Sequence, residues 1–225
     1  MIDLNYELYK ESNDFIESKV SKEYCKNNTY KNKVTYFASY IKPGMTVIDA
    51  GACVGVFTVL FDKLVLPNGR VYAFEPDISN YINLVKNVGD STTSFTNSAL
   101  SNYHGTGFLC KFKDYIGWHY LTESSKEDNV YVTYIDKFCK DNGVSKVDLM
   151  KIDVEGADLK VLQGAEETIH RNKNISIIIE IHNGGRFLEQ KNDVLEFLRN
   201  RGFTLYDLND NFNTEGKMFE VLATR

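Results

Sequence analysis

The stretch Thr46-Val-Ile-Asp-Ala-Gly-Ala-Cys-Val-Gly-Val-Phe-Thr58 decides the fold of this chain. It begins as a short apolar run, passes through an acid and two glycines, and continues with apolar residues at helical spacing. This pattern is typical of a buried parallel strand that turns sharply into a helix. Gly51 and Gly55 stand where the backbone must bend tightly and approach a ligand closely. We therefore interpret the loop as the floor of a nucleoside-cofactor site.

The same alternation of strand and helix patterns continues along the chain. Strand patterns at 70–75, 147–153 and 175–181 are each followed by a turn and a helical pattern. This alternation predicts an α/β fold with a doubly wound, mostly parallel sheet. Two late strand patterns, at 203–208 and 217–223, predict an antiparallel C-terminal hairpin at the edge of that sheet. Ligands of such sheets bind beyond the carboxyl ends of the strands.

Two helical patterns lead to predictions that depend on spacing alone. Residues 158–170 are predicted to form one continuous helix. A second helix is predicted at 78–88, where apolar residues recur at helical spacing and predict the inner face. The residues on that face are Ile78, Tyr81, Ile82 and Val85.

Two parts of the chain do not follow the alternation. Residues 1–44 are polar and rich in tyrosine, and they predict an N-terminal helical cap with helices at 5–18 and 29–41. The sheet domain is then predicted to span residues 45–225. Within it, residues 102–146 contain only short strand patterns and are predicted to form an irregular insertion, where substrate loops tend to lie.

The overall composition excludes several classes of function. The 225 residues are 43% hydrophobic and 25% charged, and no apolar run approaches the roughly 20 residues of a membrane helix. The N-terminus lacks the pattern of a signal peptide, so we expect a cytoplasmic location. A net charge of −5 without a long basic run argues against a nucleic-acid partner. The four cysteines are widely spaced, which argues against a zinc cluster.

Two acids near the glycine loop indicate which cofactor binds there. Glu75 ends the next strand pattern, from which a carboxylate can accept both hydroxyl protons of a ribose. The loop lacks the middle glycine that lets a backbone approach a pyrophosphate. Asp49 adds negative charge, which favours a cofactor with an ammonium and a sulfonium. Together these features predict S-adenosyl-L-methionine rather than NAD.

Four segments of the chain resemble the FkbM family of S-adenosylmethionine-dependent class I methyltransferases. They are Asp49-Ala-Gly-Ala-Cys-Val-Gly55, Phe74-Glu-Pro76, Asn97-Ser-Ala-Leu-Ser101 and Lys151-Ile-Asp-Val-Glu-Gly-Ala157. The strand ending Ile179-Glu-Ile-His182 is also similar to the end of that family's domain. The resemblance spans about 45–185 and implies a Rossmann-like, seven-stranded methyltransferase domain. It also implies O-methylation of a hydroxyl on a sugar or natural product.

The resemblance implies a role for each matched residue. The cofactor-binding set would be Asp49, Gly51, Ala52 and Gly55 around the methionine moiety, Glu75 and Pro76 at the ribose, and Ser98, Ala99 and Leu100 at the adenine edge. Asp153 would face both the methyl group and the acceptor. The acceptor itself is expected to be a small molecule or a glycan.

Methyl transfer to a hydroxyl needs a base, because a neutral alcohol is a poor nucleophile. Asp153, Glu155, Glu180 and His182 lie at the correct end of the sheet. His182 is the best candidate on chemical grounds, because its titration range brackets neutral pH. A strand-end histidine that only hydrogen-bonds a neighbouring loop is the alternative. Asp153, Glu180 and His182 could also bind a divalent metal ion that polarises the acceptor, but their spacing does not demand one and no metal site is predicted.

The insertion carries a small aromatic cluster whose role stays open. Its members are Tyr115, Trp118, His119 and Tyr120. They are suited either to a wall for a sugar ring or an apolar acceptor, or to a hydrophobic patch that anchors a loop. Two other functions also stay open: a nucleotide-dependent oxidoreductase, and a catalytically silent cofactor-binding module of the same fold.

Overall fold

The structure is a computed structural model. It describes residues 28–112, 117–122, 124, 128–182, 190–208 and 218–225. The side chains of residues 28–32, 182, 190 and 218–219 are outside this description. The helix predicted at 5–18 and the side chain of Tyr115 therefore lie outside the described residues. The same holds for the side chain of His182.

The chain alternates between strands and helices, as its pattern predicts. In chain order the elements are α1 (Asn28–Tyr40), β1 (Thr46–Ala50), α2 (Val56–Val65), β2 (Arg70–Phe74), α3 (Ile78–Val88), β3 (Ser94–Thr96), β4 (Ala99–Leu100), β5 (Gly105–Cys110), β6 (Tyr120–Thr122), β7 (Asp128–Thr133), α4 (Ile135–Asp141), β8 (Leu149–Ile152), α5 (Asp158–Gln163), α6 (Glu166–Arg171), β9 (Ser176–His182), α7 (Gln190–Asn200), β10 (Thr204–Asp207) and β11 (Met218–Thr224).

Seven strands form one large sheet in the order β10-β11-β9-β8-β1-β2-β3. The pairs from β9 to β3 are all parallel, which confirms the predicted doubly wound, mostly parallel sheet. β11 pairs antiparallel with both β10 and β9. The predicted antiparallel hairpin is therefore present, but its second strand lies inside the sheet and β10 forms the edge. Burial explains this order, because Val221, Leu222 and Ala223 of β11 are at most 1% exposed.

The region from 102 to 146 is more regular than its sequence suggests. It contributes β5, β6 and β7 to a second sheet in the order β4-β7-β5-β6. β5 pairs antiparallel with both β6 and β7, and β4 pairs parallel with β7. The strand pattern of β5 is weak because Gly105 and Gly107 interrupt it. β4 also lies within 98–101, which the sequence pattern predicts as a loop.

Helices cover both faces of the large sheet. On one face, α1 and α2 pack through Val34, Phe37, Phe57 and Phe61 onto the apolar residues of β1, β8 and β9. The opposite face packs against α4, α5, α6 and α7. α1 occupies the position of the second predicted cap helix and contributes directly to the core. None of the helices in the described ranges has both the length and the apolar composition that a membrane span requires.

The predicted inner face of α3 is wrong for three of its four residues. Ile78, Ile82 and Val85 are 51%, 59% and 37% exposed. Tyr81 and the fully buried Leu84 instead pack against the sheet in a small cluster with Ala73. α3 carries apolar residues on two stripes, and spacing alone does not show which one meets the sheet. Contact between Leu84 and the glycine loop selects the stripe.

The single helix predicted at 158–170 is interrupted at Gly164. α5 ends just before this residue, and α6 begins shortly after it. A Cβ atom at Gly164 would lie 2.1 Å from the carbonyl oxygen of Ser101 and 2.8 Å from Cβ of Tyr134. The Asp136 carboxylate then accepts hydrogen bonds from two α6 amides, at 2.8 and 2.7 Å. These contacts come from distant parts of the chain, so the helical pattern cannot predict the break.

Replacing Gly164 with alanine should destabilise the protein, because the added methyl group collides with the backbone of Ser101. We expect the free energy of unfolding to fall by about 1–3 kcal/mol, the usual cost of overpacking. Urea denaturation of the two proteins would measure the change. Gly117→Ala is the matched control, because a Cβ atom there meets no atom within 4 Å. Equal destabilisation of both variants would show that the contact at Gly164 is unimportant.

Candidate active site

The loop after β1 touches the loop after β8. Gly51 has a left-handed backbone with φ of 80°, and a Cβ atom there would lie 1.9 Å from the carbonyl oxygen of Asp153. Gly55 has φ of 92° and would place a Cβ atom 2.9 Å from Leu84. Glycine is therefore needed at both positions, because each has a left-handed backbone and a neighbour too close for a side chain. Cys53 between them is also left-handed, with φ of 50°.

Asp49 lies beneath this loop and is fully buried. One of its carboxylate oxygens accepts a hydrogen bond of 2.7 Å from the Thr58 hydroxyl. The other oxygen lies 3.3 Å from the ammonium of Lys151. In the described structure the Asp49 carboxylate thus faces Thr58 and Lys151, and its role toward a cofactor ammonium stays a prediction. Burial requires the carboxylate to be paired, and Lys151 supplies the partner.

Lys151 is a residue that the sequence analysis did not assign to the site. Its ammonium donates a hydrogen bond of 2.7 Å to the carbonyl oxygen of Gly51 and lies 3.5 Å from the Asp153 carboxylate. Burial lowers the pKa of Lys151, but Asp49 and Asp153 together raise it above its ordinary value. A signal was present in the sequence, since Lys151 is an isolated cation in an apolar strand. In the sheet it stands directly beside Asp49.

Glu75 connects the glycine loop to the turn after β2. Its carboxylate accepts hydrogen bonds of 2.9 Å from the amides of Cys53 and Asp77. Burial raises the pKa of Glu75 to about 7, and the two hydrogen bonds offset only part of that rise. Each carboxylate oxygen can accept more than one hydrogen bond. The side chain therefore retains the capacity to accept ribose hydroxyls.

The turn at Glu75, Pro76 and Asp77 is anchored from the loop after β3. The Asn97 side-chain amide donates to the carbonyl oxygens of Glu75 and Pro76, at 2.8 and 3.1 Å. Next to it, the buried Ser98 hydroxyl has no hydrogen-bond partner in the described part of the chain. An orphaned polar group at this edge is suited to a nucleoside ligand, and the residues present fit an adenosine moiety.

The other two residues proposed for the adenine edge belong to β4. Ala99 and Leu100 are 4% and 3% exposed. Leu100 packs in the main apolar core with Phe74 and Ile135. The Leu100 side chain therefore stabilises the sheet, and the structure does not turn it toward a ligand.

A narrow cavity of about 10 Å³, the size of one water molecule, lies between α1, α2 and the carboxyl ends of β8 and β9. Its aromatic wall consists of Phe37 and Phe57, and its polar wall includes Asp153 and Glu180. The cavity is next to the glycine loop, because Asp153 contacts Gly51. Among the described residues, Lys33 and Phe37 of α1 cover this end of the site.

Lys33 of α1 closes the polar side of the cavity. Its ammonium lies 2.7 Å from the Glu180 carboxylate and also forms an ion pair with Glu220. Glu180 and Glu220 are directly opposite on β9 and β11, where like charges repel. Burial raises the pKa of Glu220 to about 7, although Lys33 opposes that rise. His182 is the last residue of β9, so its backbone lies close to this group.

Three carboxylates at the cavity lie close enough to hold a cation. Oxygen atoms of Asp153, Glu155 and Glu180 lie within 4.8 Å of one another. Lys33 and Lys151 already supply positive charge to two of these groups. The absence of a metal site stays a prediction.

A scan against protein-family models matches residues 49–205 to the methyltransferase FkbM domain. The match begins at the glycine loop and includes Glu75, Asp153 and the strand that ends at His182. The chain belongs to the FkbM methyltransferase family. S-adenosyl-L-methionine is therefore its cofactor, in agreement with the geometry around Glu75 and Ser98.

Two curated methyltransferases are similar to this chain. The 31-O-demethyl-FK506 methyltransferase FkbM of Streptomyces tacrolimicus is 24% identical over 219 residues, which cover 82% of each chain. The methyltransferase sdnD of Sordaria araneosa is 28% identical over 157 residues, 54% of this chain and 60% of its own length. The alignment thus spans about three fifths of the sdnD protein.

The fold is also found in solved structures. A methyltransferase-like protein of Streptococcus mutans, SMU.1697c, crystallised with S-adenosylhomocysteine, superposes with a TM-score of 0.57. The two chains are 12% identical, and the match covers 88% of this chain and 98% of the other. At this identity the likeness shows the fold alone. It supports the class I methyltransferase architecture of the FkbM-family domain.

The buried carboxyl group of Asp158, at the start of α5, predicts that the stability of the cofactor-free enzyme depends on pH. Burial raises its pKa to about 8, and the charges of Asp153 and Glu180 contribute to the rise. The folded protein thus holds a proton that the unfolded chain releases near pH 4. A raised pKa contributes stability at low pH, and this contribution is lost as the pH rises through about 8. The free energy of unfolding should therefore fall over this interval.

Urea denaturation between pH 7 and pH 8 would test this assignment. The carboxyl groups of Glu75 and Glu220 have pKa values of about 7, so they change the free energy of unfolding mainly below this window. The variant Asp158→Asn should lose most of the slope, whereas exposed Asp90→Asn should keep it. An unchanged slope in Asp158→Asn would contradict the assigned pKa.

Proposed function

We propose that this methyltransferase transfers the methyl group of S-adenosyl-L-methionine to a hydroxyl oxygen of a small-molecule or glycan acceptor. The O–CH₃ bond forms as the S–CH₃ bond breaks, and the bonding electrons stay on sulfur. The hydroxyl proton passes to a base on the enzyme, and S-adenosylhomocysteine leaves as a neutral thioether. Because the sulfonium is already electrophilic, the enzyme must mainly align the two reactants and remove the proton.

The cavity beneath α1 is the observation that carries this proposal. It places the carboxylates of Asp153 and Glu180 beside the rings of Phe37 and Phe57, next to the glycine loop. Carboxylates accept hydrogen bonds from hydroxyl groups, and a cavity of about 10 Å³ has room for one such group. The name of the Streptomyces relative specifies a 31-O-demethyl compound, which supports oxygen as the acceptor atom.

The proposed cofactor contacts follow the chain from the glycine loop to β4. Gly51, Ala52 and Gly55 shape the methionine subsite, and Glu75 with Pro76 holds the ribose. Ser98 and the backbone of Ala99 border the adenine. Asp49 supports the loop from beneath through Lys151 rather than by direct contact.

The proposed catalytic group lies at the ends of β8 and β9. Asp153 and Glu180 orient the acceptor hydroxyl within the cavity, and His182 removes its proton. Lys33 holds Glu180 in place by the ion pair of 2.7 Å. The family assignment decides against an oxidoreductase, whereas a catalytically silent member of the family is the remaining alternative.

Replacing Glu75 with glutamine should weaken the binding of S-adenosylhomocysteine. The neutral amide loses charge-assisted hydrogen bonds to the ribose, each of which contributes about 1.5–3 kcal/mol. We expect the dissociation constant to rise roughly 10- to 100-fold in isothermal titration calorimetry. Glu167→Gln on the exposed face of α6 serves as the control. Wild-type affinity in Glu75→Gln would exclude the ribose role.

Replacing His182 with alanine should lower kcat for methyl transfer without changing the affinity for the cofactor. The reason is that a base acts on the acceptor proton and not on the binding of S-adenosyl-L-methionine. The assay would follow transfer of a labelled methyl group to a panel of sugars, glycosides and hydroxylated macrocycles. Normal turnover of His182→Ala at saturating acceptor would exclude the base role.

The same panel separates the remaining functions. Alkali-stable label on oxygen, identified by mass spectrometry, is the expected product. Methylation of nitrogen or carbon would contradict the proposed acceptor atom. Cofactor binding without transfer to any member of the panel would favour the silent module.

A further inference from the structure

An ion pair joins the second sheet to the turn that follows β2. Lys111 comes directly after β5, and its ammonium lies 2.7 Å from the Asp77 carboxylate. The same ammonium lies 2.7 Å from the carboxylate of Asp128, at the start of β7. The Asp77 side chain is only 3% exposed, whereas that of Asp128 is 66% exposed. Two carboxylates therefore position Lys111, and the buried one, that of Asp77, belongs to the turn after β2.

Asp77 is the link between this ion pair and Glu75. One Asp77 carboxylate oxygen caps α3 by accepting a hydrogen bond of 2.9 Å from the amide of Asn80. Its own backbone amide donates a hydrogen bond of 2.9 Å to the Glu75 carboxylate. The second carboxylate oxygen faces Lys111. Movement of Asp77 would thus change both the start of α3 and the position of Glu75.

The connection continues to the glycine loop. Glu75 also accepts a hydrogen bond from the amide of Cys53, which lies between Gly51 and Gly55. A continuous series of contacts therefore runs from Lys111 through Asp77 and Glu75 to the loop beneath the cofactor. The series contains no residue of the acceptor cavity.

We propose that Lys111 is a positioning residue for S-adenosyl-L-methionine, which holds Asp77 and thereby fixes Glu75 where the ribose hydroxyls bind. The inference rests on the proposed ribose role of Glu75. It assigns the insertion at 102–146 to the nucleoside end of the site, whereas α1 covers the acceptor end. Through Lys111, the insertion then contributes to cofactor affinity.

Electrostatics provides a second argument that is independent of the hydrogen bonds. Asp77 and Glu75 are neighbouring carboxylates, and the Asp77 charge opposes ionisation of Glu75. Lys111 compensates that charge and holds the pKa of Asp77 below its ordinary value, even though burial acts in the opposite direction. The two hydroxyl groups of a ribose each donate a hydrogen bond, so they favour the ionised form of Glu75, which only accepts. Lys111 therefore favours the form of Glu75 that binds the cofactor.

The other charged and titratable groups around Glu75 must be included in this argument. Burial raises the pKa of Cys53 to about 12, so its thiol stays neutral near pH 7. Nδ1 of His119, also from the insertion, lies 3.9 Å from the Asp77 carboxylate and has no hydrogen-bond partner in the described chain. When protonated, His119 adds to the effect of Lys111, whereas Asp128 opposes it.

The test is a titration of S-adenosylhomocysteine into the full-length protein at pH 7. Lys111→Met keeps the length of the side chain and removes its charge, so the dissociation constant should rise roughly three- to tenfold. Lys111→Arg should recover most of the affinity, because it retains the cation. Lys137→Met is the matched control, because Lys137 forms an exposed ion pair of 2.9 Å with Asp141 away from the turn.

The pH dependence of the same titration separates positioning from general stability. Wild-type affinity should rise with pH as Glu75 ionises, and the midpoint should move to higher pH in Lys111→Met. The double variant Lys111→Met/Asp77→Asn should move it back, because the unbalanced charge is gone and asparagine still caps α3. The midpoint assigned to Glu75 is the one that disappears from the pH profile of Glu75→Gln. His119→Gln identifies any part of the profile that comes from the imidazole.

Each result decides the inference. Wild-type affinity and an unchanged midpoint in folded Lys111→Met overturn it while Glu75→Gln still loses affinity. If Glu75→Gln binds as tightly as the wild type, the proposed ribose role fails and the inference fails with it. If circular dichroism shows that Lys111→Met does not fold, Asp77→Asn in the wild-type background provides the test. Asp77→Asn should move the midpoint of the pH dependence of affinity to lower pH. An unchanged midpoint overturns the electrostatic argument.

Discussion

The ammonium of Lys151 is the contact on which the rest of the site depends. It donates to the carbonyl oxygen of Gly51 and lies between the carboxylates of Asp49 and Asp153. Removing one member of a buried charge group leaves the others uncompensated, which is far more costly than the net value of the group. The loops after β1 and β8 are thereby held together at the centre of the sheet.

Different parts of the chain close the two ends of the site around this centre. At the nucleoside end, the second sheet reaches the turn after β2 through Lys111 and Asp77. At the methyl-transfer end, α1 reaches the facing carboxylates of Glu180 and Glu220 through Lys33. Both contacts place a lysine from outside the large sheet on acids that lie in its strands or in the turn after one of them.

The sequence predicts the features that depend on local pattern. The strand order in the chain, the glycine loop and the position of Glu75 all follow from short-range periodicity and turn chemistry. The outward face of α3, the break at Gly164 and the pairing of Asp49 with Lys151 each depend on a contact between distant residues. The sequence does not predict the second sheet, because Gly105 and Gly107 weaken the strand pattern of β5. The acceptor cavity combines α1, β8, β9 and β11, which no local pattern connects.

The place of β11 between β9 and β10 affects how the sheet can be assembled on the ribosome. β10 emerges before β11, yet among the described strands of the large sheet its partner is β11. The strands beneath the cofactor, β1, β2 and β8, can associate earlier. Glu220 arrives with β11, so the charge group at the acceptor end is completed only in this last step. The glycine loop and Glu75 can therefore be in place before Lys33 meets both of its carboxylate partners.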